Sequence, residues 1–313
     1  MSQNFLRTVL GDIPISELGL ILPHEHLFTD LRGPTTEDYA QSEPKSVLNT
    51  MLPFLKDAEK AGVTALVECS TVGVGRNIEV LRHLAENTRI HIVAPTGIYK
   101  EAFTPEEYLD SSIEDLVKLW VKELSQSIDS SDSKAGFIKI AVSDKGPTHL
   151  EERNIRAAAR ASIATDACIA SHTIGGKAAL EELDILNDEG LNFEKFIWVH
   201  ADSEPDLDYH REVMMMGAYV EFDFIGQPAS DPLEHVHRVR TLINENKADR
   251  ILLSHDAGWY QPGQPEGYPE GGIRGYTYIS EEFLPLLIIN GVDDQMVNLL
   301  TEENPKRAFA LHA

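Results

Sequence analysis

Leu20-Ile21-Leu22-Pro23-His24-Glu25-His26 is the stretch on which the reading of the whole chain turns. An apolar run is followed at once by two histidines, two positions apart. In an extended strand such residues point to the same side. Both imidazoles therefore face one point just past the apolar run. Two neutral imidazole nitrogens at that spacing form half of a metal site. A surface pair at a strand end is the alternative, and this stretch alone does not choose between them.

Along the rest of the chain, apolar runs of strand length alternate with amphipathic runs of helix length. The strand candidates are 18–26, 64–69, 91–97, 136–142, 168–173, 196–202, 219–224 and 251–257. Helical patterns fill 45–62, 76–88, 105–128, 150–165, 178–190, 206–217, 232–246 and 280–311, the last broken near Gly291 and resumed at Asp293. Thr104-Pro105 with Glu107 reads as an N-cap, a first-turn proline and a capping box; Asp231-Pro232 repeats the first two elements. Eight such units predict a parallel sheet covered by helices, and eight strands close a barrel. The expected fold is α/β, a TIM (β/α)8 barrel forming one domain over residues 1–313, with its site at the C-terminal ends of the strands. An open doubly wound sheet is the alternative. It would favour a glycine-rich phosphate loop after the first strand, and LPHEH is not GxGxxG.

Composition narrows the partners. Lys and Arg number 27 against 51 Asp and Glu, a formal charge of -24. Such a surface repels phosphate backbones and anionic lipid, so neither nucleic acid nor membrane is an expected partner. The two cysteines, Cys69 and Cys168, each lie in an apolar run and read as reduced core thiols. With an N-terminus too polar for a signal peptide, this predicts a cytoplasmic protein.

The polar residues at the strand ends carry the chemistry. His24 and His26 end the first strand, His172 the fifth, His200 the sixth and Asp256 the eighth. In Phe137-Ile138-Lys139-Ile140-Ala141, alternation gives the isoleucines one face and Lys139 the other. The isoleucines suit the helix-facing side, which leaves the lysine inside the barrel. Each residue alone has a structural reading: a satisfied histidine, an exposed lysine, an aspartate opening a turn. Their coincidence at one end of five strands favours a metal site.

These residues lie in segments that resemble the phosphotriesterase family of the amidohydrolase superfamily over nearly the whole chain. The segments include HEH (24–26), STVGVGRN (70–77), HIVAPTGIY (91–99), AGFIKIAV (135–142), AAARASIATDACIASHT (157–173), WVHAD (198–202), LLSHDAG (252–258) and ENPKRAF (303–309). The resemblance implies a metal-dependent hydrolase with two divalent ions, usually zinc. His24, His26 and Asp256 would hold the buried ion, and His172 and His200 the more exposed one. Lys139, carboxylated by CO2 on its side-chain nitrogen, would bridge them. A carbamate offers two anionic oxygens where a free lysine offers none. With two cations bound, the pKa of a water can fall to about 7, and Asp256 would carry the proton away. A homodimer is common among such proteins.

Departures from the family pattern shape the expected substrate. Where the phosphotriesterases proper have a proton-relaying histidine after strand seven, and related lactonases an arginine, this chain has Phe224. Tyr99 matches a tyrosine of the lactonase-like branch that sits beside the metals. The segment 257–279 is rich in Gly, Pro and aromatics and too long for a tight turn, so substrate choice is expected there. Tyr99, Phe224, Trp259, Tyr260 and Tyr276 are candidate pocket residues, and Arg274 is either an anion partner or the mate of a surface acid. Glu68, inward on strand two, is either a carboxylate orienting a ligand histidine or a buried structural one. His83, His91, His149, His210, His235, His237, His255 and His312 are assigned no role. The reading is an enzyme hydrolysing a small-molecule lactone or related carboxylic ester. A true organophosphate hydrolase and a non-catalytic binding protein on the same barrel are the alternatives.

Overall fold

The computed structural model describes residues 4–312. Eight barrel strands run parallel: β1 Leu20–Phe28, β2 Val63–Glu68, β3 in two pieces His91–Val93 and Pro95–Thr96, and β4 Phe137–Ala141. They continue as β5 Ile169–His172, β6 Phe196–Val199, β7 Tyr219–Phe222 and β8 in two pieces, Ile251–Leu253 and Gly258–Tyr260. The first piece of β8 pairs with β7 and the second with β1. The residues between them also bond to both neighbours. Ser254 N donates to Phe222 O at 2.9 Å and Asp256 N to His24 O at 3.2 Å, while His26 N donates to Ala257 O at 2.9 Å. The last strand therefore closes the ring on the first, and the fold is the (β/α)8 barrel. An antiparallel hairpin, Phe5–Thr8 with Gly11–Pro14, precedes it.

Alternation along the strands makes two cores. Ile138, Ile140, Leu66, Ile92, Val220 and Leu253 face the helices and pack with Met51, Leu84, Trp120 and Val239. The other face fills the barrel with Ile21, Val67, Phe137, Ala170, Ile197, Tyr219 and Leu252, plugged by Leu6 and Phe309. On the inward face apolar residues thus give way to polar ones toward the C-terminal end: Phe137 to Lys139, Ala170 to His172, Tyr219 to Glu221 and Asp223. In β1 the register shifts between Leu22 and Glu25. That bulge, at a proline with no N–H to donate, brings His24 and His26 to the same inward face that Ile21 occupies three residues earlier.

The helical expectations are met with one correction. Asp231 caps Pro232–Asn244 by accepting from Leu233 N at 2.9 Å, and Asp293 restarts the last helical run. The third pattern instead divides into Glu106–Leu109 and Ile113–Ser125. Thr104 is no cap, because its hydroxyl donates backward to Lys100 O at 3.4 Å. The capping box belongs to Ser112 and Asp115, with Asp115 N donating to Ser112 Oγ at 3.1 Å. Cys69 and Cys168 are free and buried. No helix among the described residues is long and apolar enough to cross a membrane.

Candidate metal centre

At the C-terminal end of the barrel a cavity of about 160 Å³ is lined by His24, His26, Thr29, Leu31, Cys69, Val74, Tyr99, Lys139, His172, His200, Asp256 and Trp259. All six residues taken from the strands thus border one space. Ligand atoms of His24, His26 and Asp256 lie within 4.8 Å of one another. His26 Nε2 is 3.0 Å and His24 Nε2 3.5 Å from Asp256 Oδ1. On the other side His172 Nδ1 and His200 Nε2 are 2.8 Å apart. His200 follows the last residue of β6 and Asp256 lies past the first piece of β8, in the gap before Gly258; both take left-handed φ angles, 64° and 49°. The turn at each strand end swings the side chain over the barrel mouth.

The opposite ring nitrogens are anchored, which fixes how the histidines present themselves. Asp223, fully buried on the inward face beyond β7, accepts from His24 Nδ1 at 2.9 Å and His200 Nδ1 at 2.7 Å. Burial alone would raise its pKa, but His200 and His24 hold it down to about 2. His26 Nδ1 meets Ser70 Oγ at 2.8 Å. With Nδ1 occupied, all three rings turn Nε2 into the cavity, as ligand histidines do. Asp223 was given no role from the sequence, yet its signal was legible. Glu221 and Asp223 place two acids on the buried face of one strand, where carboxylates need partners. Replacing Asp223 with Ala should weaken metal affinity about 10- to 100-fold, read by chelator competition. Unchanged affinity would reduce it to a packing residue.

Lys139 is 2 % exposed, and its Nζ has no hydrogen-bond partner among the described residues. His172 Nε2 is likewise buried and unpartnered. Burial lowers the Lys139 pKa against the pull of Cys69, Glu221, Asp223 and Asp256. A buried amine with no partner, beside imidazole nitrogens aimed at the same space, fits a centre completed by cations. Tyr99 O–H is 3.0 Å from His172 Nδ1, and burial raises its pKa, so it remains a neutral phenol.

Four expectations for the substrate pocket need correction. Tyr276 is buried and donates to His26 O at 2.6 Å. Tyr260 stacks on Phe28 at 6.0 Å. Among the described residues Arg274 pairs with no acid: its Nη2 donates to His255 O at 2.9 Å and Asp256 O at 2.5 Å. Phe224 stacks on His200 at 5.0 Å but lines a different cavity, with Asp202 and His235. In each case the side chain is drawn to backbone or aromatic partners distant in sequence, which only the fold brings within reach. Trp259 does line the metal-site cavity, its ring 5.8 Å from that of His26. Glu68 is not inward as expected, because Val67 and Cys69 take the barrel interior; it lies 3.7 Å from His26 Nδ1 and mainly holds the Leu27 and Ser70 amides.

Comparison with known proteins agrees with this geometry. A profile of the Phosphotriesterase family matches residues 4–309. The aryldialkylphosphatase of Saccharolobus solfataricus is 30% identical over 309 residues, covering 95% of this chain and 97% of that protein. The phospho-furanose lactonase of Mycoplasmopsis synoviae is 29% identical, covering 99% of this chain and 93% of its own. The structure of a mutant PTE-like lactonase from Deinococcus radiodurans superposes with a TM-score of 0.89 at 29% identity, covering 97% of this chain and 99% of that one. These relatives are hydrolases, and their family is built on binuclear metal centres. With a barrel mouth ringed by histidines, a lysine and an aspartate, and a match that spans the strands carrying all of them, this chain belongs to the phosphotriesterase family.

Proposed function

We propose that this chain hydrolyses an uncharged lactone or related small carboxylic ester in the cytoplasm, with two zinc ions as cofactors. His24, His26 and Asp256 would hold one ion and His172 and His200 the other, with carboxylated Lys139 between them. Imidazole and carboxylate donors suit zinc. Burial lowers the Lys139 pKa and so favours the neutral amine, the form that adds CO2, which supports the carbamate. Bound ions would supply a nucleophile at neutral pH by lowering a water's pKa and would polarise the substrate oxygen. The chain's own part follows from position. Asp256, its pKa held well below the usual range by His26, His24 and His200 against burial, is ionised and placed to accept a proton. Tyr99 offers a neutral O–H donor at the cavity wall.

The observation that carries the substrate reading is the rest of the lining: Thr29, Leu31, Cys69, Val74, Tyr99 and Trp259, with no cation among them. Nearby cations are engaged elsewhere. Arg274 binds backbone carbonyls, Lys100 pairs with Asp144 at 2.9 Å, and Arg32 pairs with Asp30 at 2.8 Å. A phosphorylated lactone would lose its phosphate hydration for nothing in return. The volume also lies below the roughly 300–1,000 Å³ of drug-sized sites, which suits one ring with a short substituent. With Phe224 where the triesterases have a histidine, organophosphate turnover would be a side activity. Specificity constants on short-chain lactones, a phosphorylated lactone and a paraoxon-type triester test the reading. Uncharged lactones should lead by about 100-fold or more, near 2.7 kcal/mol. Preference for the phosphorylated lactone would overturn the charge argument, preference for the triester would favour the organophosphate reading, and no turnover by metal-loaded protein would favour a binding role.

A further inference from the structure

We infer that Glu25, the residue between the two histidines of HEH, is a positioning residue that holds Ser254–Ala257 so that Asp256 faces His24 and His26. The inference rests on the proposed reading that these three side chains share a cation. Glu25 is fully buried, and its neighbours in sequence, His24 and His26, point to the opposite face of β1. Its Oε1 accepts from Ser254 Oγ at 2.9 Å, His255 N at 3.1 Å and His255 Nδ1 at 2.5 Å. Its Oε2 accepts from Ala257 N at 2.9 Å. The donors come from three residues that bracket Asp256 on both sides. One carboxylate therefore organises the gap between the two pieces of β8.

The bracketing matters because the gap is where the backbone departs from a strand. Asp256 has φ 49°, a conformation that a non-glycine residue keeps only when its surroundings impose it. Glu25 supplies the constraint from the β1 side. From the loop side Arg274 Nη2 donates to the His255 and Asp256 carbonyls. The His255 ring extends the clamp, since its Nε2 accepts from Ile279 N at 2.9 Å, which fixes Nδ1–H as the end donated to Glu25. A second link ties the same segment back to the first ligand: His24 N donates to Ser254 Oγ at 2.9 Å. Metal-binding residues far apart in sequence, 24 and 26 against 256, are thus set relative to one another through the side chain lying between the first two. The chemistry requires a carboxylate. An amide has one acceptor oxygen, and its NH2 would confront an N–H that Glu25 now satisfies.

The test is cobalt(II) titration of metal-free protein, followed by its visible d–d absorption, for wild type and for Glu25→Gln. Wild type should take up two equivalents. In the variant one equivalent should bind about 10- to 100-fold more weakly, with an altered d–d spectrum, and the other should bind as before. Glu25→Asp keeps the acceptors on a shorter arm and should weaken the same equivalent by less. If Glu25→Gln does not fold, Glu25→Asp decides alone. A lower melting temperature with wild-type cobalt affinities would make Glu25 a packing residue and overturn the inference while leaving the metal reading intact. Wild type that binds no cobalt would overturn both.

Discussion

Lys139→Ala should abolish hydrolysis, lowering kcat/KM at least about a thousand-fold, roughly 4 kcal/mol of transition-state stabilisation. The reason lies in the placement of the amine. It sits among His172, His200, His24 and Asp256 at the barrel mouth, buried, with no hydrogen-bond partner among the described residues. A lysine serving only the fold would be a poor choice there, because an unpaired buried amine costs stability. As the carbamate bridge it would bring anionic charge between two cations that otherwise repel. Truncation should therefore remove the metals along with the activity. A short carboxylic acid such as propionate, supplied with excess metal, should restore part of the rate by occupying the vacated space. Unchanged activity in the variant would refute the bridge.

Asp256→Asn should separate the two duties assigned to that residue. An asparagine keeps an oxygen where Oδ1 now lies, 3.0 Å from His26 Nε2 and 3.5 Å from His24 Nε2, but it cannot accept the proton. Turnover should fall about 100- to 10,000-fold, the range of a lost general base, while most of the metal is retained. Parallel kcat and metal-content measurements distinguish the cases. Equal losses of both would make Asp256 a ligand and nothing more.

Most of the candidate metal site was legible because strand periodicity is a local property. His24 and His26 share a face by spacing alone. Lys139 could be aimed inward because Ile138 and Ile140 claim the other side, and both indeed pack against the helices. The barrel followed from counting strands, although β8 breaks between Leu253 and Gly258. What escaped depends on contacts between distant segments. Two acids on one strand mark Asp223 as in need of partners, but that these are His24 and His200, 199 and 23 residues away, only the fold shows. Tyr276 reaches His26 O across 250 residues. An arginine in a glycine-rich loop invites a substrate anion in sequence; in the fold, two carbonyls of the Asp256 turn take it instead. Thr104 failed as a cap for a smaller version of the same reason, since its hydroxyl found Lys100 O first.

Side chains from five strands should surround a pair of cations at the barrel mouth. Anomalous diffraction from zinc-loaded crystals, collected above and below the zinc edge, tests this arrangement most directly. Two peaks per chain are expected, one bounded by His24, His26 and Asp256 and one by His172 and His200, with Lys139 density between them. A catalytically active crystal with no peak at the mouth, or with Lys139 lying clear of both peaks, would contradict it.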